Sequence, residues 1–151
     1  MSATVLVAVN PLEQFNKSAD TRRKADLAQI QRALEVYYSD NGRYPYSYQN
    51  QMTTTGDPQT GAGTSDGVIA WGSDFRPYMD VLPIEQKTAK NYAYWADSTG
   101  QSYAIFASLD RGSDDPQACN EDETPCTRAS DNSITCGGVC NFGVSSANIS
   151  P

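Results

Sequence analysis

The chain has 151 residues, a formal net charge of −7 and only 38% hydrophobic residues, which fits one domain with a single core and long polar connections. It contains no histidine, which excludes Ser-His-Asp and Cys-His catalysis, histidine acid-base chemistry and every histidine-containing metal site. Glu13, Asp20, Asp26, Glu35 and Asp40 balance Lys17, Arg22, Arg23, Lys24 and Arg32, so the acidic excess falls after residue 40, and such a surface argues against generic nucleic-acid binding, which needs clustered lysine and arginine.

Residues 10–45 predict one long helix with an explicit start and stop. Asn10 suits the cap, Pro11 the first helical position and Glu13 the capping-box partner. Ser39-Asp40-Asn41-Gly42 tolerates a left-handed turn, and Pro45 cannot continue a helix. A helix of roughly thirty residues spans about 45 Å, more than a compact head of this size needs, so part of it projects. Leu12, Phe15 and Ala19 form one apolar stripe, and Leu27, Ile30, Leu34, Tyr37 and Tyr38 a second. Between them Asp20, Arg22, Arg23, Lys24 and Asp26 read as a charged belt. The second stripe is expected to cover this chain's own core, and residues 5–19 to be buried against something outside it, with Leu12, Phe15, Ala19, Arg22 and Arg23 as the assembly residues.

After the helix, residues 46–67 lack apolar periodicity and carry Gly-Asp-Pro and Gly-Ala-Gly punctuation, which predicts a long loop. Residues 68–71, Val-Ile-Ala-Trp, suit a short strand or a buried anchor. Within residues 73–83, Phe75, Tyr78 and Leu82 at helical spacing predict one or two helical turns laying an aromatic plug on the core. The clearest sheet signal is a hairpin over residues 90–109, with a turn at Asp97-Ser98-Thr99-Gly100 and an alternating apolar face of Tyr103, Ile105, Ala107 and Leu109. That face is expected to close on Leu27, Ile30 and Leu34.

Residues 110–123 carry Asp110, Asp114, Asp115, Glu121, Asp122 and Glu123 against Arg111 alone. Cys119, Cys126, Cys136 and Cys140 lack the paired C-x2-C spacing of a zinc ribbon and read as two disulfides formed in an oxidising, extracytoplasmic setting, with three connectivities open. Residues 135–144 predict an edge strand pinned by those disulfides, and residues 147–151 a disordered or loosely docked end. The fold class is therefore α+β: a long N-terminal helix on a small antiparallel sheet, with long loops and a disulfide-pinned C-terminal region. In domain terms this is a helical stem, residues 1–45, and a head, residues 46–151, whose cysteine-containing tail covers residues 110–151, together forming a single domain.

The run Val5-Leu6-Val7-Ala8-Val9-Asn10-Pro11, the long amphipathic helix and the ending Tyr37-Tyr38-Ser39-Asp40-Asn41-Gly42-Arg43-Tyr44-Pro45 resemble the N-terminal region of type IV pilins and type II secretion pseudopilins. The resemblance covers residues 5–45 well and the rest loosely. It implies a pilin-like head packed on the C-terminal half of the helix, and a subunit that is membrane-anchored through an apolar helix before assembly and extracellular or at the cell surface afterwards. Five apolar residues at 5–9 fall short of the roughly 20 that span a bilayer, so Met1-Ser2-Ala3 reads as a start replacing a removed apolar segment. The family's cleavage signal and its glutamate near the mature start are also missing.

The expected function is a structural subunit of an extracellular type IV pilus-like filament, whose partners are copies of itself and other pilins or pseudopilins. The alternatives are a secretion pseudopilin and a surface-anchored adhesive module using the 46–67 loop, which resembles the family's variable loop, and the acidic tail. No enzyme is expected, because no carboxylate pair has a spacing that specifies a site. Some family members place calcium after the last hairpin, which makes Asp110, Asp114 and Asp115 candidate calcium ligands; the other reading of that stretch is a solvated acidic loop.

Overall fold

The computed structural model describes residues 10–120 and 124–151, so the apolar run at 5–9 and the acids at 121–123 lie outside the described residues. The helix α1 runs over Pro11–Asn41. Its first amides are capped as the sequence dictates, the side chain of Asn10 accepting from the Leu12 N–H at 3.2 Å. Glu13 does not close the capping box and instead lies 3.5 Å from Arg111. At the other end Gly42 adopts φ 70°, the left-handed turn that glycine enters without a Cβ penalty, and its N–H donates to the Tyr38 carbonyl.

Among the described residues two three-stranded antiparallel sheets form in place of the single sheet expected, one lying against the edge strand of the other, and that other against α1. The first is β1 (Tyr46–Tyr48), β2 (Gln51–Thr53) and β3 (Val68–Ile69), paired in that order. Part of the expected 46–67 loop is thus a hairpin. Its two-residue turn is Gln49-Asn50 with φ 47° and 63°, the left-handed pair that a tight hairpin needs. Asparagine tolerates that conformation and glutamine rarely does, so the turn carries no recognisable sequence signature. Met52 and Thr53 are buried beneath it.

The second sheet is β4 (Ala93–Ala96), β5 (Tyr103–Ala107) and β6 (Phe142–Ser145). Trp95 pairs with Ala104, and Ile105 pairs with Val144 on the far side. The Tyr94 N–H donates to the Asn50 carbonyl at 2.8 Å, which stitches the two sheets together. Residues 73–83 form no helix. The Phe75 carbonyl accepts from the N–H groups of Tyr78 and Met79 in a tight turn, because Arg76 precedes Pro77 and is disfavoured in helical geometry. The aromatic plug nevertheless forms, with Tyr37 5.9 Å from Phe75 and 5.0 Å from Tyr78 between ring centroids.

The core has two parts, divided by β5. On one side Tyr103, Ile105, Ala107 and Leu109 meet Leu27, Ile30 and Leu34 of α1. On the other, Ala93, Ala104 and Phe106 meet Cys126, Ala129, Ile134, Cys136 and Cys140. Every residue of β5 is consequently buried. The back core is closed by disulfides Cys119–Cys126 and Cys136–Cys140 and by the short helix α2, Thr127–Asp131. Residues 147–151 are more firmly placed than expected: Ile149 packs on this core, Ser145 donates to its carbonyl and Arg128 to that of Ser150.

Candidate assembly surface on the long helix

No residue of α1 before Asp20 is buried, and from there a buried face continues through Arg23, Asp26, Leu27, Ile30, Ala33, Leu34 and Tyr37. The exposed N-terminal part presents Leu12, 66% exposed, and Phe15, 72% exposed, with Ala19 half-buried at its inner end. Polar side chains at those two positions would be the norm for a helix surrounded by water. Phe15, Ala19 and Arg22 also line an apolar depression of about 250 Å³ against Glu85, Lys87 and Tyr92.

The charged belt is different in kind from the expectation. Arg22 does face out, its side chain 54% exposed and 3.8 Å from Asp26, but Arg23 belongs to the interior, its side chain only 2% exposed. The spacing of Arg23, Asp26, Ile30, Leu34 and Tyr37 makes the belt a charged section of the buried stripe and not a gap between two stripes. The head supplies the counter-charges. Arg23 donates through Nε to Glu85 Oε2 at 2.6 Å and through Nη2 to Oε1 at 3.1 Å. Its Nη1 reaches Asp20 at 2.7 Å and Asp110 at 2.8 Å. Asp20 in turn accepts the backbone N–H groups of Asp110 and Arg111, and Asp26 accepts the Tyr92 hydroxyl at 2.7 Å.

These partners set the ionisation of the cluster. Burial opposes charge on Arg23, but hydrogen bonds to Glu85, Asp110 and Asp20 outweigh it and hold the guanidinium proton more tightly than usual. Burial likewise opposes ionisation of Asp110, and Lys87, Lys90 and Arg23 outweigh it and hold the carboxyl well below the usual range. Glu85 is lowered in the same way, burial being overcome by Arg23 and the Lys87 N–H. The Tyr92 hydroxyl is pushed up by burial and by Asp26.

The three expected calcium ligands are dispersed among protein cations. Asp110 takes Lys87 at 2.6 Å and Lys90 at 2.8 Å besides Arg23. Asp115 takes Lys24 at 2.5 Å, and Asp114 points outward, 3.9 Å from Arg111. Among the described residues no group of three or more acidic or thiol side chains is placed to hold a metal ion. The four cysteines are paired, which places the chain in an oxidising, extracellular or secreted environment. Among the described residues no helix is long and apolar enough to cross a membrane.

Sequence reasoning passed over Glu85 and Tyr92, the head's two anchors for the belt. Glu85 follows Pro83-Ile84 in a stretch with no periodicity, and nothing in its neighbourhood marks it. Arg23 was within reach, because it stands four residues before Leu27 on the buried face. Compared with protein-family models, with curated proteins and with solved structures, the chain matches none.

Proposed function

We propose that the protein is a structural subunit of an extracellular type IV pilus-like filament, assembling through the N-terminal part of α1. The observation that carries this reading is an N-terminal part of α1 with no buried residue before Asp20, which presents Leu12 and Phe15 to solvent. The Arg23 cluster supports it, since a bidentate Arg–carboxylate pair fixes the helix direction relative to the head. A subunit that hands an apolar helix to its neighbours in a repeated heterologous contact builds an open filament. Assembly rather than catalysis is the mechanism, with copies of the same chain and related subunits as partners.

The test is electron microscopy of material sheared from cells making the protein, labelled with antibody to the head. Label along thin filaments, abolished by Phe15→Glu while the protein persists in the envelope, is the expected result. Filaments that form normally with Phe15→Glu overturn the reading. Absence of label from any filament favours a secretion pseudopilus or an anchored adhesive module.

A further inference from the structure

A cleft of about 640 Å³ opens beside the C-terminal part of α1, lined by Arg32 and Glu35 of the helix, Tyr38 and Tyr44 at its end, and Gln101 and Asn148 opposite. Its volume falls in the roughly 300–1,000 Å³ range of small-molecule sites. Twenty residues separate Phe15 from Glu35, about 30 Å along the helix, so the cleft is remote from the assembly surface and stands independently of it.

The walls are held in place before any ligand arrives. The Tyr44 hydroxyl reaches the two oxygens of Glu35 at 3.1 and 3.0 Å, and the Tyr103 hydroxyl reaches Oε1 at 3.2 Å. Tyr38 packs on Tyr44 with 4.6 Å between centroids, and its hydroxyl donates to Gln101 Oε1 at 2.5 Å. The Asn148 amide donates to Ser102 Oγ at 3.1 Å. Such fixed side chains lose little freedom when a ligand binds.

Two groups in this cleft retain unused capacity. A carboxylate offers about four acceptor positions, and each phenol carries one proton, so Glu35 keeps about two acceptor positions after Tyr44 and Tyr103 are served. Arg32, about 4.5 Å earlier along the axis, forms no hydrogen bond or ion pair with any described residue. An apolar ligand would strand these groups. A small anion would use Arg32 alone and meet repulsion from Glu35, and a small cation the reverse. A sugar ring with a carboxylate uses all three features: its C–H face against the tyrosine wall, paired hydroxyls donating to Glu35, and its carboxylate on the guanidinium fork.

We propose that this cleft binds an acidic monosaccharide of the uronic-acid class, with Tyr38 as platform, Glu35 as hydroxyl acceptor and Arg32 as carboxylate partner. The experiment is titration of the 15N-labelled protein with galacturonic acid, galactose and acetate, following the backbone amides of Gln101, Asn148 and Gly42. Galacturonic acid is expected to shift these amides with a millimolar Kd, and galactose about tenfold more weakly. Arg32→Ala is an exposed change that leaves the fold intact, and it should weaken galacturonic acid about tenfold while leaving galactose unchanged. Glu35→Gln should weaken both sugars. Acetate shifting the same amides as strongly as galacturonic acid would reduce the site to an anion contact and overturn the proposal. So would undiminished binding to Arg32→Ala, or the absence of any shift at about 10 mM sugar.

Discussion

Replacing Arg23 by methionine tests whether the buried ion cluster holds the stem to the head. Methionine keeps most of the side-chain volume, so the loss is charge and hydrogen bonding rather than packing. Asp110 would retain Lys87 and Lys90, but Glu85, with 6% of its side chain exposed, would lose its one cationic partner among the described residues. Breaking a buried pair from one side costs about 3–5 kcal/mol, because a charge is left uncompensated. Against a total stability of about 5–15 kcal/mol this is a large fraction, and it lowers Tm by roughly 6–20 °C for a chain of this length. Urea unfolding followed by tryptophan fluorescence measures it, with Arg22→Met, an exposed neighbour, expected within about 0.5 kcal/mol of the parent.

The pH dependence gives a second readout of the same variant. Asp110 and Glu85 have folded pKa values below their unfolded ones, so the unfolded state binds more protons and stability rises with pH there. Their contribution is present above about pH 4, the unfolded carboxyl range, and is lost as pH falls below it. Arg23→Met should flatten that acid limb. A variant with the parent's urea midpoint and acid limb would refute the reasoning, and Arg23→Met combined with Glu85→Leu should recover part of the loss if the stranded charge is its cause.

Three further outcomes follow from the same geometry. Tyr37, Tyr44, Tyr92, Tyr94 and Tyr103 are all raised, burial first and, for Tyr44, Tyr92 and Tyr103, a neighbouring carboxylate second; their contribution holds below pH ~10 and is lost as pH rises through the folded values. Absorbance at alkaline pH should therefore show these five of the nine tyrosines resisting ionisation until the protein unfolds, and ionisation of all nine in the folded state would contradict the burial. Opening either disulfide by paired Cys→Ser exchange should cost about 2 kcal/mol by loop-closure entropy, read from urea midpoints, and peptide mapping without reduction should recover Cys119 with Cys126 and Cys136 with Cys140. Leu12→Ser with Phe15→Ser should leave stability within about 0.5 kcal/mol, yet reduce self-association in analytical ultracentrifugation; equal association would remove that face from the assembly surface.

Where local chemistry alone decides, the sequence is readable. Asn10-Pro11 and Asn41-Gly42 mark the helix within a residue at each end, because caps act on adjacent amides. Tyr103, Ile105 and Ala107 mark a strand and the face it turns to the helix. Long-range complementarity is what escaped: a run of charges at 20–26 looks solvated until the distant Glu85, Lys87, Lys90 and Asp110 are known to neutralise it. The opposite face of β5 was hidden for a similar reason. Ala104 and Phe106 read as the half-exposed side of a hairpin until the cysteine-rich segment folds over them. The Gln49-Asn50 turn escaped for want of glycine, and the 73–83 segment misled because helical spacing was outweighed by one proline.

The central position of β5 bears on how the head comes into being. Its neighbours are β4, whose paired residues lie close by along the chain, and β6, which comes well after it; Ala104 pairs with both Trp95 and Ser145. On a ribosome the hairpin emerges first, with Ala104 and Phe106 uncovered on its back and the sulfurs still reduced. The strand that closes the sheet and the cysteines that line its rear emerge only after it. Completion of the head therefore waits for that later segment and for thiol oxidation, so the chain must cross into an oxidising compartment before its central strand is fully sheltered from water.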